Sequence, residues 1–232
     1  MKNLILPVIL SMCFNAFTPT HTQPARNSLS NDSIHMSAEI LVEKDTDLDQ
    51  ATAIALAEKL ANGEELDCVS REYDDMDPAI ESFDREDGEY YAEYHYPDGS
   101  KKTVIITAVS TDTGTVSGGT YQSGSNWYTW TGAYVSVTTS LYSASMRATF
   151  SGSAYDAAIQ SVWNGSASAY LGTATVSAPY IQRQYATSTN PALAYMSFSI
   201  NGLTSFSGTL ALKVPMAIFQ PEVYVFKQGA GV

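Results

Sequence analysis

The clearest pattern in the chain begins near residue 89, where apolar and polar positions alternate in short runs separated by turn residues. A period of two places successive side chains on opposite faces of a strand. The run YYAEYHY at 90–96 is followed by Pro97-Asp98-Gly99-Ser100, a strong turn signal, and then by KKTVIITAV at 101–109. Together they predict a β-hairpin. Residues 110–126 are polar and Gly-rich and predict a loop with at most a short strand. Residues 127–140 and 141–150 predict two further strands. In the second, Tyr142, Ala144, Met146, Ala148 and Phe150 share the apolar face. In the first, the alternation puts Tyr128, Trp130, Gly132, Tyr134 and Ser136 on one face, so Trp130 and Tyr134 are expected in the core together. Residues 154–163 read as either a short helical turn or a loop, and 166–178 as a strand of small residues. Residues 192–200 place Ala192, Ala194, Met196, Phe198 and Ile200 on one face; Asn201-Gly202 opens a turn and 205–214 runs back. Pro215 marks a strand end, because it has no N–H to give to a ladder.

Upstream the period changes. Residues 46–62 predict one helix, with Thr46 as cap and Asp49 completing a capping box. Ala53, Leu56, Ala57 and Leu60 form its apolar stripe, and Asn62-Gly63 ends it. Residues 63–88 are acidic and poor in aliphatics, and are expected to be loop. Residues 18–45 are expected to be a disordered leader, since their first half is rich in Ser, Thr, Asn and Pro. Met1-Lys2-Asn3 followed by the mostly apolar residues 4–17 resembles an export signal, too short for a membrane span. The expected organisation is therefore a signal peptide at 1–17, a disordered leader at 18–45, an acidic helix and linker at 46–88, and a β domain at 89–228. The fold class is mainly β, with an antiparallel β-sandwich as the first expectation and a closed barrel as the alternative.

Charge sharpens this division. Residues 39–93 carry 19 acidic and 4 basic groups, whereas 99–232 carry 3 acidic and 6 basic groups. So few clustered Lys and Arg residues argue against a nucleic-acid partner. Of the two cysteines, Cys13 leaves with the signal and Cys68 then stands alone, which gives neither an internal disulfide nor a zinc cluster. Leu10-Ser11-Met12-Cys13 only loosely fits a lipoprotein cleavage site.

Candidate chemistry is sparse. His21, His35 and His95 are the only imidazoles. Glu93 and His95 share a strand face, but two ligands are too few for a metal site. Ser123-Gly124-Ser125 and Ser151-Gly152-Ser153 lack the strand–turn–helix setting of a hydrolase nucleophile. After residue 93 the acids are Asp98, Asp112, Asp156 and Glu222; Asp98 belongs to a turn, and an Asp112–Asp156 pair is the remaining carboxylate hypothesis. The alternation Asp45, Asp47, Asp49 fails the calcium-loop pattern at the following glycine and glutamate positions. No catalytic residue, metal site or cofactor is assigned. What is left is aromatic. Trp127, Trp163 and Tyr185 stand in polar surroundings and are the expected binding residues, since exposed rings stack on sugars or on apolar partner surfaces.

The stretches YHYPDGSKKTVII, NWYTWTGAYVSV leading into LYSASMRATF, and ALAYMSFSINGLTSFSGTLALKV resemble secreted Gram-positive β-sandwich proteins of unknown function. That resemblance implies a cell-envelope or extracellular setting and assigns no catalytic residue. The leading expectation is an exported, non-catalytic binding or interaction protein whose partner is an envelope protein or a glycan, with no stable membrane span once the signal is removed. Two alternatives stand beside it: a membrane-active or toxin-like β protein masked by its acidic leader, and a hydrolase with an unrecognised carboxylate site.

Overall fold

The computed structural model describes residues 30–84, 86–108, 119–203, 205–217 and 221–227. The expected signal peptide with Cys13 and His21, the first part of the leader, and Asp112 lie outside the described residues.

Among the described residues, twelve strands form two antiparallel sheets. The strands are β1 (Ile80–Asp84), β2 (Glu89–His95), β3 (Lys101–Thr107), β4 (Thr120–Ser123), β5 (Trp127–Thr139), β6 (Tyr142–Ser153), β7 (Ala157–Ala169), β8 (Gly172–Val176), β9 (Tyr180–Arg183), β10 (Ala192–Gly202), β11 (Phe206–Val214) and β12 (Glu222–Lys227). The seven-stranded sheet runs β1-β2-β3-β5-β6-β7, with β4 pairing the half of β5 that β3 leaves open. The five-stranded sheet runs β12-β11-β10-β8, with β9 also on β10. β7 turns at Tyr170-Leu171 into β8 and carries the chain from one sheet to the other. The architecture is the expected mainly β, two-sheet one.

The interior matches the alternation wherever the alternation is unbroken. Tyr142, Ala144, Met146, Ala148 and Phe150 of β6 are buried, as are Ala192, Ala194, Met196, Phe198 and Ile200 of β10. At one end of the sandwich, Trp130 stacks on Phe150 at 5.0 Å and its indole N–H donates to the Gly88 carbonyl at 2.9 Å.

Several expectations are corrected. Among the described residues two α-helices are present, α1 (Asn31–Lys44) and α2 (Gln50–Ala61). The expected disordered leader is thus helical from Asn31: Ile34, Ala38, Leu41 and Val42 sit at helical spacing and pack into the core. α2 starts later than expected. Asp49, not Thr46, caps it, accepting from the N–H groups of Ala51 and Thr52 at 3.0 Å. An aspartate is at least as good a cap as threonine, and Asp45 meanwhile ties Thr46 to Leu48 into a turn before the helix. Residues 63–88 are not all loop. They hold two single-turn 3-10 helices (Asp67–Val69 and Arg71–Tyr73) and β1. Residues 154–163 are largely strand, because β7 begins at Ala157.

The helices close the other end of the sandwich. The turns after β2, β5, β7 and β10 lie side by side there, joined by hydrogen bonds from Ser140 to Lys101, Tyr170 to Leu141 and Leu203 to Leu171. Leu60 of α2 shares a small cavity with Leu141, Leu171 and Leu203. Leu48, Leu56, Leu60, Leu66 and Cys68 belong to the same apolar cluster as both sheets. Removing everything up to residue 88 would strip these side chains from the core and β1 from its sheet.

Candidate functional site

The outer face of the seven-stranded sheet carries an unusual row. Register places Tyr134 of β5, Arg147 of β6 and Trp163 of β7 directly abreast. Two irregularities flank it. On β5, Thr131 and Gly132 together face the single residue Thr149; on β7, Asn164 and Gly165 together face Met146. Each is a β-bulge, an extra residue that shifts the alternation and re-aims the side chains beyond it.

The β5 bulge corrects the expectation for Tyr134. Tyr128 and Trp130 are buried, but after the extra residue it is Ala133, Val135 and Val137 that point inward. Tyr134 turns to the outer face. Gly132 adopts φ +69°, which only glycine tolerates cheaply. Its N–H donates to the Thr149 hydroxyl at 3.0 Å, and its carbonyl accepts from Arg147 Nη1 at 2.9 Å. The guanidinium carbon lies 5.4 Å from the centre of the Tyr134 ring, a cation–π arrangement. Asn164, at φ 51°, is the one non-glycine residue with positive φ among the described residues. Such backbone concentrates at functional sites.

Trp163 reaches across this row. Its six-membered ring reaches from β7 over β6, to 3.9 Å from where a Cβ on Gly132 would stand. With 37 % of its surface exposed, the indole is a platform with one side on the sheet. Hydroxyls continue the face: Ser136, Ser145 and Ser166 form one cross-strand row, and Thr138, Ser143 and Ser168 the next, with Ser143 and Ser168 bonded at 2.8 Å.

The other expected aromatics are also exposed, Trp127 by 46 % and Tyr185 by 61 %. They do not join Trp163 in one patch. Trp127 pairs with Ser153, six residues along β6 from the partner of Trp163, which is ~20 Å at the rise of a strand. Tyr185 bridges Ala158, five residues along β7 from Trp163, which is ~17 Å at the rise of a strand. Sequence reasoning thus found Trp163 but missed Tyr134, Arg147 and Asn164. The available signal was a glycine inside each strand pattern, Gly132 and Gly165, which is how a bulge announces itself.

The remaining polar groups are tied into structure. Glu93 accepts from Tyr91 and meets His95 on the same strand face; those bonds, first that of Tyr91, hold its carboxyl below the usual range. Asp98 accepts from Lys59, from the Ser100 hydroxyl and from two backbone N–H groups. Asp156 sits in the β6–β7 turn, and Glu222 lies across from Lys213. These acids and His95 do not converge. Among the described residues no group of three or more His, Cys, Asp or Glu could hold a metal ion. No described helix is long and apolar enough to cross a membrane. A cleft of about 250 Å³ opens between β2–β3 and β12, lined by Tyr90, Tyr94, Asp74, Lys213 and Lys102. Burial there pulls the Lys102 ammonium below the ordinary lysine value, partly offset by Asp74. Its Nζ sits 4.1 Å from the centre of the Tyr94 ring.

No family model and no curated protein matches the chain. Among solved structures, a hypothetical protein of Listeria monocytogenes is similar at 19 % identity and a TM-score of 0.31, over 59 % of this chain and 93 % of that one.

Proposed function

We propose that this chain is an exported, non-catalytic binding protein of the cell envelope or extracellular space, and that it holds a glycan on the outer face of the seven-stranded sheet. The carrying observation is the Trp163 indole, which reaches over a bulged stretch of sheet to the neighbourhood of Gly132 with its surface partly open. A sugar ring has an apolar C–H face that packs on such a plane, while hydroxyl groups around the plane satisfy its polar rim. The exposed hydroxyl residues Thr138, Ser161, Ser166 and Ser168 supply that rim. A ring already in position loses little side-chain freedom on binding. Export rests on the positive start and apolar stretch at residues 1–17.

The test is retention of the mature protein on a glycan array, alongside pull-down from an envelope extract. A Trp163→Ala variant should bind at least tenfold more weakly, about 1.4 kcal/mol. No retention of any glycan or envelope component at high protein concentration refutes the reading.

A further inference from the structure

The platform carries a cation as well as a ring, and the cation narrows the ligand. Resting on the glycan-binding reading above, we infer that the Tyr134–Arg147–Trp163 row recognises a carboxylate-bearing sugar, with the pyranose stacked on the indole and its carboxylate on the Arg147 guanidinium.

Three observations carry this. First, Arg147 is aimed but not neutralised. Its Nη1 donates to the Gly132 carbonyl and its plane leans on Tyr134, yet no ion pair among the described residues includes it. A guanidinium held by one nitrogen keeps further N–H donors for a planar, two-oxygen acceptor. Second, the described neighbours of the row by register are hydroxyl residues, Thr107, Thr149, Ser161, Ser145 and Ser166. In a chain of net charge −12, Glu93 of this face meets His95 and Asp98 meets Lys59, while Glu89 at the start of β2 stays exposed. The immediate register neighbours of Arg147 are uncharged, and that spot suits an anion although the protein as a whole does not. Third, the two bulges meet at this row, and Asn164, exposed beside the indole, offers an amide in a backbone conformation that costs stability to maintain. One cation beside one ring is far too little for a nucleic-acid strand, whose recognition takes many phosphate contacts. It suits one acidic sugar unit.

The experiment uses the full mature chain and calorimetric titration with matched pairs: trigalacturonic acid against its methyl ester, a hyaluronan tetrasaccharide against its methyl ester, and sialyllactose against its methyl ester. Each pair keeps the stacking face and removes only the charge, so the comparison needs no protein variant. At least one acid form should bind tenfold or more tightly than its neutral counterpart, and raising the salt should narrow that gap. Arg147→Lys, verified as folded by its near-UV dichroism, should lose most of the preference by removing the fork while keeping the charge. Trp163→Ala should weaken both members of a pair, and Trp127→Ala neither. Equal binding of acid and neutral forms overturns the inference and leaves the glycan reading standing. So does binding of array glycans but of none of the acids. If neither these sugars nor any glycan or envelope component is retained, the inference and the proposed function fall together.

Discussion

Replacing Lys59 by methionine should show that the helical cap and the β domain are one folding unit. Lys59 Nζ lies 2.7 Å from Asp67 Oδ1 and 2.8 Å from Asp98 Oδ2, with side-chain exposures of 22 %, 14 % and 12 %. The two carboxylates also accept each other's backbone N–H groups, at 2.9 and 3.1 Å, so they stay face to face when the ammonium is removed. Breaking a buried pair costs roughly 3–5 kcal/mol, and residual exposure lowers the figure here to about 2–4 kcal/mol. At ~2–4 °C per kcal/mol for a chain of this size, Tm should fall by roughly 4–16 °C. The pH dependence adds a second signature. Burial alone would raise the Asp98 carboxyl, but the bonds from Lys59, Ser100 and the backbone outweigh it and hold it below 3.8. Its contribution is therefore complete above the unfolded value of about 3.9 and is lost as pH falls through the lower, folded value. In Lys59→Met, protonation of one carboxyl relieves the repulsion, so the deficit against the parent protein should be largest at pH 7 and shrink towards pH 4. Lys59 is shifted upward, against burial, by Asp67 and Asp98, so the clasp holds on the alkaline side to at least 10.5. Urea unfolding at pH 7 and pH 4 measures both effects. A deficit below about 1 kcal/mol at pH 7, or one unchanged at pH 4, would refute the reasoning.

The tryptophans should separate fold from surface: Trp130→Ala should cost about 3–5 kcal/mol in urea unfolding, whereas Trp163→Ala should cost under about 1 kcal/mol. Comparable losses would contradict the division between core and platform. The Cys68 thiol, pushed up to about 12 by burial, should resist iodoacetamide at pH 8 in the native protein and react once the protein is unfolded, as read by mass spectrometry. Alkylation of the native protein at the rate of a free thiol would show the site to be open. At Asn164, valine should cost roughly 1–2 kcal/mol because of the positive φ, and glycine almost nothing, both by thermal melting. A valine variant as stable as the parent would mean that the bulge relaxes.

The legible parts of this fold are those where alternation runs unbroken. β6 and β10 bury the faces their sequences announce, and the β2–β3 hairpin turns at Pro97-Asp98-Gly99. β5 and β7 were only half legible because β5 contains one added residue and β7 two, the second being Gln160. A two-residue period read straight through Gly132 puts Tyr134 in the core, whereas the bulge delivers Ala133 and Val135 instead. α1 was hidden by its polar composition. Its few apolar residues become meaningful only against α2, since a short helix gains its stability from docking. Of the candidate site, exposure was legible and grouping was not. Trp127, Trp163 and Tyr185 are each exposed, but neighbourhood across strands depends on register, which no single strand's sequence contains.

The same two insertions that defeat the reading also build the platform. Without the extra residue on β5, Tyr134 would point inward and Arg147 would lose both the ring it leans on and the displaced Gly132 carbonyl that holds it. On β7, Asn164 and Gly165 let Trp163 and Ser166 both face outward although they stand three positions apart. Between the bulges, β6 keeps regular alternation, so Met146 and Ala148 stay in the core while Arg147 stands between them on the outer face. The row is thus anchored from beneath by the regular strand and shaped from both sides by the irregular ones. Each bulge leaves an unpaired backbone position, a cost that packing does not repay at exposed Asn164. Irregularity of this kind on both sides of one cross-strand row is better explained by what the outer face must hold than by what the core requires.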